Sequence, residues 1–241
     1  MSEKDIADAY NSVADNFLFS RTKGKEKMGM WNREIEQPMM FNLVPQNLKG
    51  KKLLDVGCGP GIHIKEYERR GAKCFGFDIS REMILLAKKR CPHSEFTIGS
   101  VNKINYPDYT FNIVTASLIL DHVKDLSLPF NEIKRVLKKR GLFIFSVPHP
   151  IGNLITDKEN EITLDASYYR TDKIYLNIAG GEGIVDYPKT IQYYTDLLLT
   201  DFELINFIEN KPDEQWKEKY PDLDKLSFRI PRICFFAWRK K

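Results

Sequence analysis

The sequence LLDVGCGPG, residues 53–61, places three glycines at alternate positions directly after a short apolar run. Gly57, Gly59 and Gly61 allow backbone torsions that a Cβ would forbid, and they let the chain approach a ligand closely. Asp78 ends the next apolar run, FGFD. An acid about 20 residues beyond a glycine loop can accept hydrogen bonds from both hydroxyls of a ribose. The loop and the acid together predict a site for a nucleoside-containing ligand.

Three details of this loop favour an adenosyl cofactor over a dinucleotide. The glycines are spaced G-x-G-x-G, so the dinucleotide fingerprint G-x-G-x-x-G is not met. Pro60 stiffens the turn and removes an N–H donor that a pyrophosphate would need. Asp55, two residues before the first glycine, places a carboxylate that would repel a pyrophosphate and attract an ammonium or sulfonium group.

Strands and helices are predicted to alternate around this loop, between residues 50 and 150. The strands lie in KKLLDVG, KCFGFDIS, SEFTIGSV, FNIVTASLIL and LFIFSVP, and the helices lie in HIKEYERRG, REMILLAKKRC and NEIKRVLKKRG. Such alternation indicates βαβ units, and hence a parallel sheet covered on both faces. Beyond residue 190, TIQYYTDLLLT predicts a helix, and FELINFIE and RICFFAW predict two strands. We expect an α/β fold with a doubly wound, mostly parallel, seven-stranded sheet and helices on both faces.

The same patterns predict one domain over residues 1–241, in four segments. Residues 1–49 are helical and aromatic and form an N-terminal leader, and residues 50–149 form the cofactor-binding core. Residues 150–190, which are rich in tyrosine and glycine, form an insertion after the fifth strand that caps the substrate site, because function on such folds sits in loops at the carboxyl edge of the sheet. Residues 191–241 supply the C-terminal helix and strands.

The composition argues against a nucleic-acid or membrane protein. The chain has a net charge of only +4, and its basic residues form short clusters at the ends of predicted helices, where they suit the helix dipole. No apolar stretch approaches the roughly 20 residues of a membrane helix. The four cysteines form no C-x-x-C pair, and the N-terminus has no secretory apolar region. We expect a reduced cytoplasmic protein, either a monomer or a homodimer.

These motifs resemble those of the class I S-adenosylmethionine-dependent methyltransferases. LLDVGCGPG looks like their motif I and FGFDIS like their motif II. FNIVTASLILDHVKD is similar to their fourth-strand motif, NEIKRVLKKRGLFIFSVPHP to the following helix and fifth strand, and AYNSVADNF to the leader of small-molecule members. The resemblance covers nearly the whole chain except residues 150–190. It implies an enzyme that transfers the methyl group of S-adenosyl-L-methionine to a small molecule.

The resemblance also implies which residues bind the methionine and ribose parts of the cofactor. The methionine part would be held by the glycine loop and its acid, namely Asp55, Gly57, Cys58, Gly59 and Gly61. Asp78 would take the ribose hydroxyls. From its position on the first turn of the helix after the loop, His63 is expected either to touch the carboxylate of the cofactor or to face solvent.

The remaining cofactor contacts follow the later strands. Ile79 would pack against adenine. After the third strand the family commonly has an acid that binds the adenine amino group, but this chain has Ser100, followed by Val101 and Asn102, which could substitute through a backbone N–H and a side-chain amide. Ser117 and Leu118, at the end of the fourth strand, would line the sulfonium side.

Candidate acceptor contacts come from the histidines and from the aromatic residues outside the core. His149, between two prolines after the fifth strand, and His122, after the fourth, are the catalytic candidates, although each is also compatible with a structural role. The predicted lid and substrate walls are Tyr10, Phe19, Trp31, Tyr168, Tyr169, Tyr175 and Tyr187. Four scattered histidines without paired spacing predict no metal site.

Two alternatives to a small-molecule methyltransferase stay open. The first is an RNA or protein methyltransferase, although the chain reads TASLIL where the N-P-P-[YF] motif of nucleic-acid amino methylation would stand. The second is an inactive S-adenosylmethionine-binding protein, which is supported by two departures from the family pattern, Ser100 and Asn112.

Overall fold

The computed structural model describes residues 2–153, 155–158, 161–164, 167–169, 172–211, 214–219 and 230–241. Its helices are α1 (Glu3–Thr22), α2 (Lys27–Trp31), α3 (Gln37–Leu43), α4 (Ile62–Arg69), α5 (Arg81–Arg90), α6 (Ser127–Val136), α7 (Ile191–Leu198) and α8 (Glu214–Lys219). A π-helical turn (Asn32–Glu36) joins α2 to α3, and 3-10 turns lie at Leu120–His122 and Pro150–Asn153. In the described part of the chain, no helix has the length and apolarity that crossing a membrane requires.

The strands are β1 (Lys52–Val56), β2 (Lys73–Asp78), β3 (Glu95–Ile98), β4 (Phe111–Ser117), β5 (Leu137–Pro148), β6 (Ile155–Lys158), β7 (Glu161–Leu164), β8 (Ile174–Ile178), β9 (Gly181–Asp186), β10 (Phe202–Glu209) and β11 (Ile233–Lys240). Seven of them form one sheet in the order β3-β2-β1-β4-β5-β11-β10. Strand β11 runs antiparallel to both of its neighbours, and the other pairs are parallel. The predicted seven-stranded, mostly parallel sheet is confirmed.

Helices cover both faces of this sheet, as the sequence predicts. Successive side chains of a strand point to opposite faces, so Leu54 and Val56 of β1 pack on one side and Leu53 on the other. One face is covered by α6 and α7 through Phe130, Ile133, Tyr194 and Leu198. The other is covered by α3, α4 and α5 through Met40, Ile64, Tyr67, Ile84 and Ala87. The carboxyl edge of the sheet is left for the loops that carry the site.

One boundary differs from the sequence-based prediction. The sequence predicts a helix through NEIKRVLKKRG, but α6 ends at Val136 and β5 begins at Leu137. Leu137 is fully buried and pairs with Phe111 of β4, which draws the chain into the sheet one turn early. The ammonium group of Lys240 donates to the carbonyl oxygen of Leu137 at this helix end, a favourable position for a cation.

The insertion after β5 forms two antiparallel hairpins, β6–β7 and β8–β9. Strand β9 packs against α1 and against the 3-10 turn after β4. The backbone N–H of Tyr187, just after β9, donates to the carbonyl oxygen of Asp121 at 2.7 Å. The end of the insertion is thereby fixed beside the loop that follows the fourth strand.

Candidate active site

A cavity of about 250 Å³ lies at the carboxyl edge of the sheet. It is bounded by the glycine loop after β1, by the segments that follow β2, β3 and β4, and by helix α1. Strand order reverses at β1, which pairs with β2 on one side and β4 on the other. This is the position at which ligands bind in open α/β sheets.

One face of α1 lines the cavity along most of the length of the helix. Its lining residues are Glu3, Ile6, Tyr10, Phe17 and Arg21, whose spacing follows the helical repeat. With a rise of about 1.5 Å per residue, this stripe extends over roughly 27 Å. The leader is therefore the cover of the site, and different parts of the cavity meet different turns of the same helix.

The glycine loop has the backbone that its sequence predicts. Gly57, Gly59 and Gly61 have φ values of 64°, 50° and 75°, which L side chains rarely adopt. A Cβ on Gly57 would lie 2.7 Å from the side chain of Ile119, whereas a Cβ on Gly59 would project into open space, with Phe17 nearest at 3.9 Å. Gly59 therefore leaves a cradle on the cavity side of the loop that only a ligand fills.

Asp78 is fixed at the end of β2, facing this cradle. Its two carboxylate oxygens accept the backbone N–H groups of Gly59 and Ser80, each at 2.9 Å. Burial raises the pKa of Asp78, and the backbone hydrogen bonds act in the opposite direction. The carboxylate is thus preorganised, with its remaining lone pairs available to a ligand in the cavity.

The structure keeps two of the predicted cofactor residues away from the cavity wall. Asp55 is 2% exposed and accepts a hydrogen bond of 2.7 Å from the hydroxyl of Thr115. Burial raises its pKa to about 6. A Cβ on Gly61 would face Ala87 of α5 instead of the cavity. Both residues support the loop from behind, because their side of the loop packs against the helices of one sheet face.

An apolar slot lies at the end of the cavity beside β2 and β3. Ile79 and Val101, both predicted to contact adenine, line it together with Ile6 and Met83. Ser100 and Asn102, also predicted at the adenine end, stand at its rim. Their side chains both donate to the same carboxylate oxygen of Glu3, and the bond from Asn102 measures 2.6 Å. The sequence gives no signal for this contact, because it joins residues almost one hundred positions apart.

The opposite end of the cavity is built on a buried carboxylate, Glu36. One of its oxygens accepts hydrogen bonds from the hydroxyls of Ser117 (2.6 Å) and Ser146 (2.7 Å), and the other lies 3.2 Å from Nε2 of His63. Burial favours a raised pKa for Glu36, but the charge and hydrogen bond of His63 and the two hydroxyls lower it overall. Conversely, Glu36 raises the pKa of His63 against the effect of burial. The two side chains form an ion pair at the predicted sulfonium side.

Arg21 adds a cation to this end of the cavity. Its guanidinium lies 4.6 Å from the centre of the Phe17 ring, within the range of a cation–π interaction. Burial lowers its pKa, and the charge of Glu36 opposes that effect. Leu118, predicted to line the sulfonium side, also lies in the wall here.

Tyr10 and His122 meet in the middle of the cavity. The Tyr10 hydroxyl lies 2.7 Å from Nε2 of His122, and Nδ1 of His122 lies 2.7 Å from a carboxylate oxygen of Asp186 and 3.0 Å from the carbonyl oxygen of Val185. Burial favours a lower pKa for His122, but the charge of Asp121 and the contact with Asp186 raise it to about 9. The imidazole is therefore held as a cation between α1 and the insertion.

Two carboxylates and two cations share this buried cluster. Burial and the charge of Asp186 raise the pKa of Asp121 to about 7, and burial lowers the pKa of Lys189 to about 8. Ligand-type atoms of Asp121, His122 and Asp186 lie within 4.8 Å of one another, a spacing that a metal ion could use. The imidazolium and Lys189 already supply the positive charge that the two carboxylates require, which favours a proton-bearing network over a metal centre.

His149, the first catalytic candidate of the sequence, lies away from the cavity. Its Nε2 is 2.8 Å from a carboxylate oxygen of Glu209 on β10, and its Nδ1 accepts the backbone N–H of Ile151 at 3.1 Å. Burial lowers its pKa. Its side chain anchors the turn after β5 to an outer strand, so the structure does not bring His149 to the cavity wall. Of the two catalytic candidates, only His122 lines the cavity.

Only some of the aromatic residues that were predicted to form the substrate walls line the cavity. Tyr10 lines the cavity, but Phe19 is 59% exposed, because it lies two residues after Phe17 and so points to the other side of α1. Trp31 is buried against Trp216. Tyr168 and Tyr169 pack on each other, and Tyr169 is 78% exposed. Of the predicted tyrosines of the insertion, Tyr187 lines the cavity.

Comparisons with known proteins agree with this architecture. The methyltransferase domain family matches residues 54–145. An uncharacterized protein of Haemophilus influenzae is 31% identical over 175 residues, 66% of this chain and 68% of its own length. A demethylmenaquinone methyltransferase of Chlorobaculum tepidum is 36% identical over 108 residues, so the match spans less than half of that relative (45%) and 44% of this chain.

The fold comparison agrees as well. The crystal structure of an S-adenosylmethionine-dependent methyltransferase from Mesorhizobium loti superposes with a TM-score of 0.73 at 22% identity, covering 84% of this chain and 96% of that one. The family match, which contains the glycine loop and Asp78, and the β3-β2-β1-β4-β5-β11-β10 sheet are found together in this chain. The chain belongs to the class I S-adenosylmethionine-dependent methyltransferases.

Proposed function

We propose that this methyltransferase acts on a small-molecule acceptor. The observation that carries the proposal is the cover that α1 forms over the cavity, from Glu3 at one end to Arg21 at the other. The enclosed space of about 250 Å³ suits a small ligand. A macromolecular substrate would have to present a single side chain or base through this cover. The relative named for demethylmenaquinone is consistent with a small acceptor.

The residues of the cavity fit S-adenosylmethionine along its length. The apolar slot beside Ile79 and Val101 suits the adenine ring, and the fixed carboxylate of Asp78 suits the ribose hydroxyls. The cradle at Gly59 leaves room for the ligand to cross the loop. At the far end, Glu36 and Arg21 complement the ammonium and carboxylate of the methionine part. When bound, the cofactor supplies a methyl group carried on a positively charged sulfur.

The contribution of the protein is alignment and the exclusion of water. Methyl transfer needs the acceptor atom, the methyl carbon and the sulfur in line, so orientation accounts for most of the catalytic effect. We expect helix α1, which lines the cavity along its length, to limit the access of water. Ser117 and Leu118 at the end of β4 form the wall beside the expected reacting centre.

The hydrogen bonds of Tyr10 also determine how an acceptor is held. As a cation, His122 donates from both ring nitrogens, from Nδ1 to the carbonyl oxygen of Val185 and from Nε2 to the Tyr10 oxygen. The Tyr10 oxygen then accepts, so its own O–H must donate elsewhere. Tyr10 lines the cavity, and its O–H therefore donates to an oxygen of the acceptor, most strongly if that oxygen is anionic, as in an enolate or a carboxylate.

The cellular setting follows from the thiols and the charge. Cys58, Cys74, Cys91 and Cys234 are all buried and unbridged, which suits a reducing compartment such as the cytoplasm. The weak net charge of +4 gives no support to a nucleic-acid partner. We infer a monomer or a homodimer that acts in the cytoplasm.

Calorimetry followed by a transfer assay tests this proposal. S-adenosylhomocysteine is expected to bind with micromolar affinity, and NAD is expected not to bind. The protein is then incubated with methyl-labelled S-adenosylmethionine and four acceptor pools, namely hydroxylated quinols, small carboxylic acids, unfractionated RNA and total protein. Label in a small-molecule pool supports the proposal. Label only in RNA or protein, or cofactor binding without any transfer, contradicts it.

A further inference from the structure

The apolar slot of the cavity needs a hydrogen-bond acceptor if it is to recognise adenine. The exocyclic amino group of adenine is a donor, and in this chain Ser100 and Asn102, not an acid, follow β3. The hydroxyl of Ser100 and the amide of Asn102 are both donating to Glu3. The sheet edge after β3 thus offers the amino group no carboxylate, so a charged acceptor would have to come from another element.

Glu3 is placed to supply that acceptor from a different element. It stands on the first turn of α1, lines the cavity, and is held at the rim of the slot by Ser100 and Asn102. Both of these hydrogen bonds go to the same oxygen, Oε1. The second oxygen, Oε2, accepts no hydrogen bond from the residues that the structure describes.

The other carboxylates of the cavity are engaged elsewhere. Among the described residues that line it, the carboxylates are those of Glu3, Glu36 and Asp78. Asp78 is bound by the backbone N–H groups of Gly59 in the glycine loop and of Ser80, which precedes α5. Glu36 lies at the opposite end, bound by Ser117, Ser146 and His63. Glu3 is the one carboxylate of this set that faces the apolar slot.

We propose that Glu3 accepts a hydrogen bond from the exocyclic amino group of the bound adenine, and so selects adenine over a 6-oxo base. The inference rests on the proposed function, since it takes the apolar slot as the adenine site. Ser100 and Asn102 are then positioning residues, which hold Oε1 so that Oε2 faces the base. The acid that recognises adenine comes from the cover of the cavity instead of from the sheet.

This arrangement makes base recognition depend on closure of α1. A carboxylate on the sheet edge would meet adenine whether or not the leader is docked, whereas Glu3 meets it only when the first turn of α1 is in place. The correct base therefore contributes to holding the cover closed over the cofactor.

The test compares two ligands that differ only at the C6–N1 edge of the base, where the inosyl compound carries a carbonyl oxygen and a protonated N1. S-adenosylhomocysteine carries the amino group, and S-inosylhomocysteine carries a carbonyl oxygen that a carboxylate would repel. Calorimetric affinities of both are measured for the wild type, for Glu3→Gln and for the control Asp8→Asn, an exposed acid on the same helix. The wild type is expected to prefer S-adenosylhomocysteine by at least about tenfold, because a site built to accept a donor rejects an analogue that lacks it.

Glu3→Gln is expected to reduce this preference at least about fivefold, because the amide can donate to the carbonyl of the inosyl ligand. Ser100→Ala, which loosens Glu3 without removing it, is expected to shift the preference in the same direction by a smaller factor. Asp8→Asn is expected to leave it unchanged.

Each outcome bears on the inference. An unchanged preference in Glu3→Gln, with S-adenosylhomocysteine still bound, overturns the role of Glu3 but leaves the proposed function intact. An equal shift in Asp8→Asn also overturns it, because the effect would then be one of net charge. Failure of the wild type to bind S-adenosylhomocysteine contradicts the proposed function, and the inference falls with it.

Discussion

The hydroxyl of Tyr10 lies 2.7 Å from Nε2 of His122 and joins the first helix of the chain to the loop after the fourth strand. On the other side of the imidazole, Asp186 brings in the end of the insertion. Three segments that are far apart in sequence therefore meet at one histidine. The charge of this histidine affects both the stability of the fold and the donors that face the cavity.

The first prediction concerns Asp186→Asn and its dependence on pH. The pKa of His122 is raised from 6.5 to about 9 in the fold, so the stability that its charge contributes is present below pH 6.5 and is lost as pH rises through 9. Lys189, with a pKa of about 8, also loses its attraction to Asp186 over this range. We expect the substitution to cost about 3 kcal/mol at pH 7, as for a broken buried pair, and clearly less at pH 9.5.

Urea unfolding of wild type and variant at the two pH values measures this difference. Histidine ring NMR provides a direct check, since the apparent pKa of His122 should fall in Asp186→Asn. Equal destabilisation at pH 7 and 9.5 would show that the two side chains do not interact as a charged pair.

Tyr10→Phe tests the donor that faces the cavity. Removal of the hydroxyl takes away a hydrogen bond to the acceptor but leaves the ring in its place. We expect turnover of the acceptor found in the transfer assay to fall about tenfold to a hundredfold, a loss that corresponds to roughly 1.4–2.7 kcal/mol. The affinity for S-adenosylhomocysteine should change less than twofold. A large loss of cofactor affinity would mean that Tyr10 donates to the cofactor instead.

Asp78→Ala tests the assignment of the ribose. Charge-assisted hydrogen bonds contribute roughly 1.5–3 kcal/mol each, so calorimetry should find the affinity for S-adenosylhomocysteine at least about tenfold weaker. Circular dichroism should show an intact fold. Asp8→Ala, on the exposed face of α1, is the matched control and should bind normally. An unchanged dissociation constant for Asp78→Ala would place the ribose elsewhere.

Gly59→Ala and Gly50→Ala separate backbone strain from ligand space. Both glycines have positive φ, and a Cβ on Gly50 would meet nothing within 4 Å. Each substitution should cost about 1–2 kcal/mol of stability through left-handed backbone strain. Only Gly59→Ala should also weaken S-adenosylhomocysteine binding, because its methyl group enters the cradle. Equal ligand affinity in the two variants would remove the cradle from the cofactor site.

The sequence predicts the sheet and the backbone of the glycine loop well, because both depend on local patterns. The alternation of strands and helices predicts a parallel sheet. The G-x-G-x-G loop and the acid lie at the carboxyl ends of two adjacent parallel strands, and Gly59 and Asp78 therefore come into contact. The predicted end of α6 is wrong, because the burial of Leu137 in the sheet outweighs the helical preference of the lysines and arginine that follow.

The acceptor side could not be predicted in the same way. Glu3, Arg21 and Glu36 carry no motif, and they reach the cavity only through the docking of α1 and of the π-helical turn. Which of the two candidate histidines, His149 or His122, lies in the cavity depends on which strand end the leader packs against. Flanking prolines favoured His149 in the sequence, but the docking of Tyr10 places His122 in the cavity.

The side chain of Asn11, on α1, helps to cap the start of α5, although helices are usually capped by residues next to them in sequence. Its Oδ1 accepts the backbone N–H of Glu82, at 3.2 Å, and the hydroxyl of Ser80, at 2.8 Å. The first N–H groups of a helix have no partner within it, so the Glu82 amide is protected from solvent only while α1 is docked. The hydrogen–deuterium exchange rate of the Glu82 amide therefore reports how often the leader detaches from the cavity. This measurement can be made without knowing the methyl acceptor.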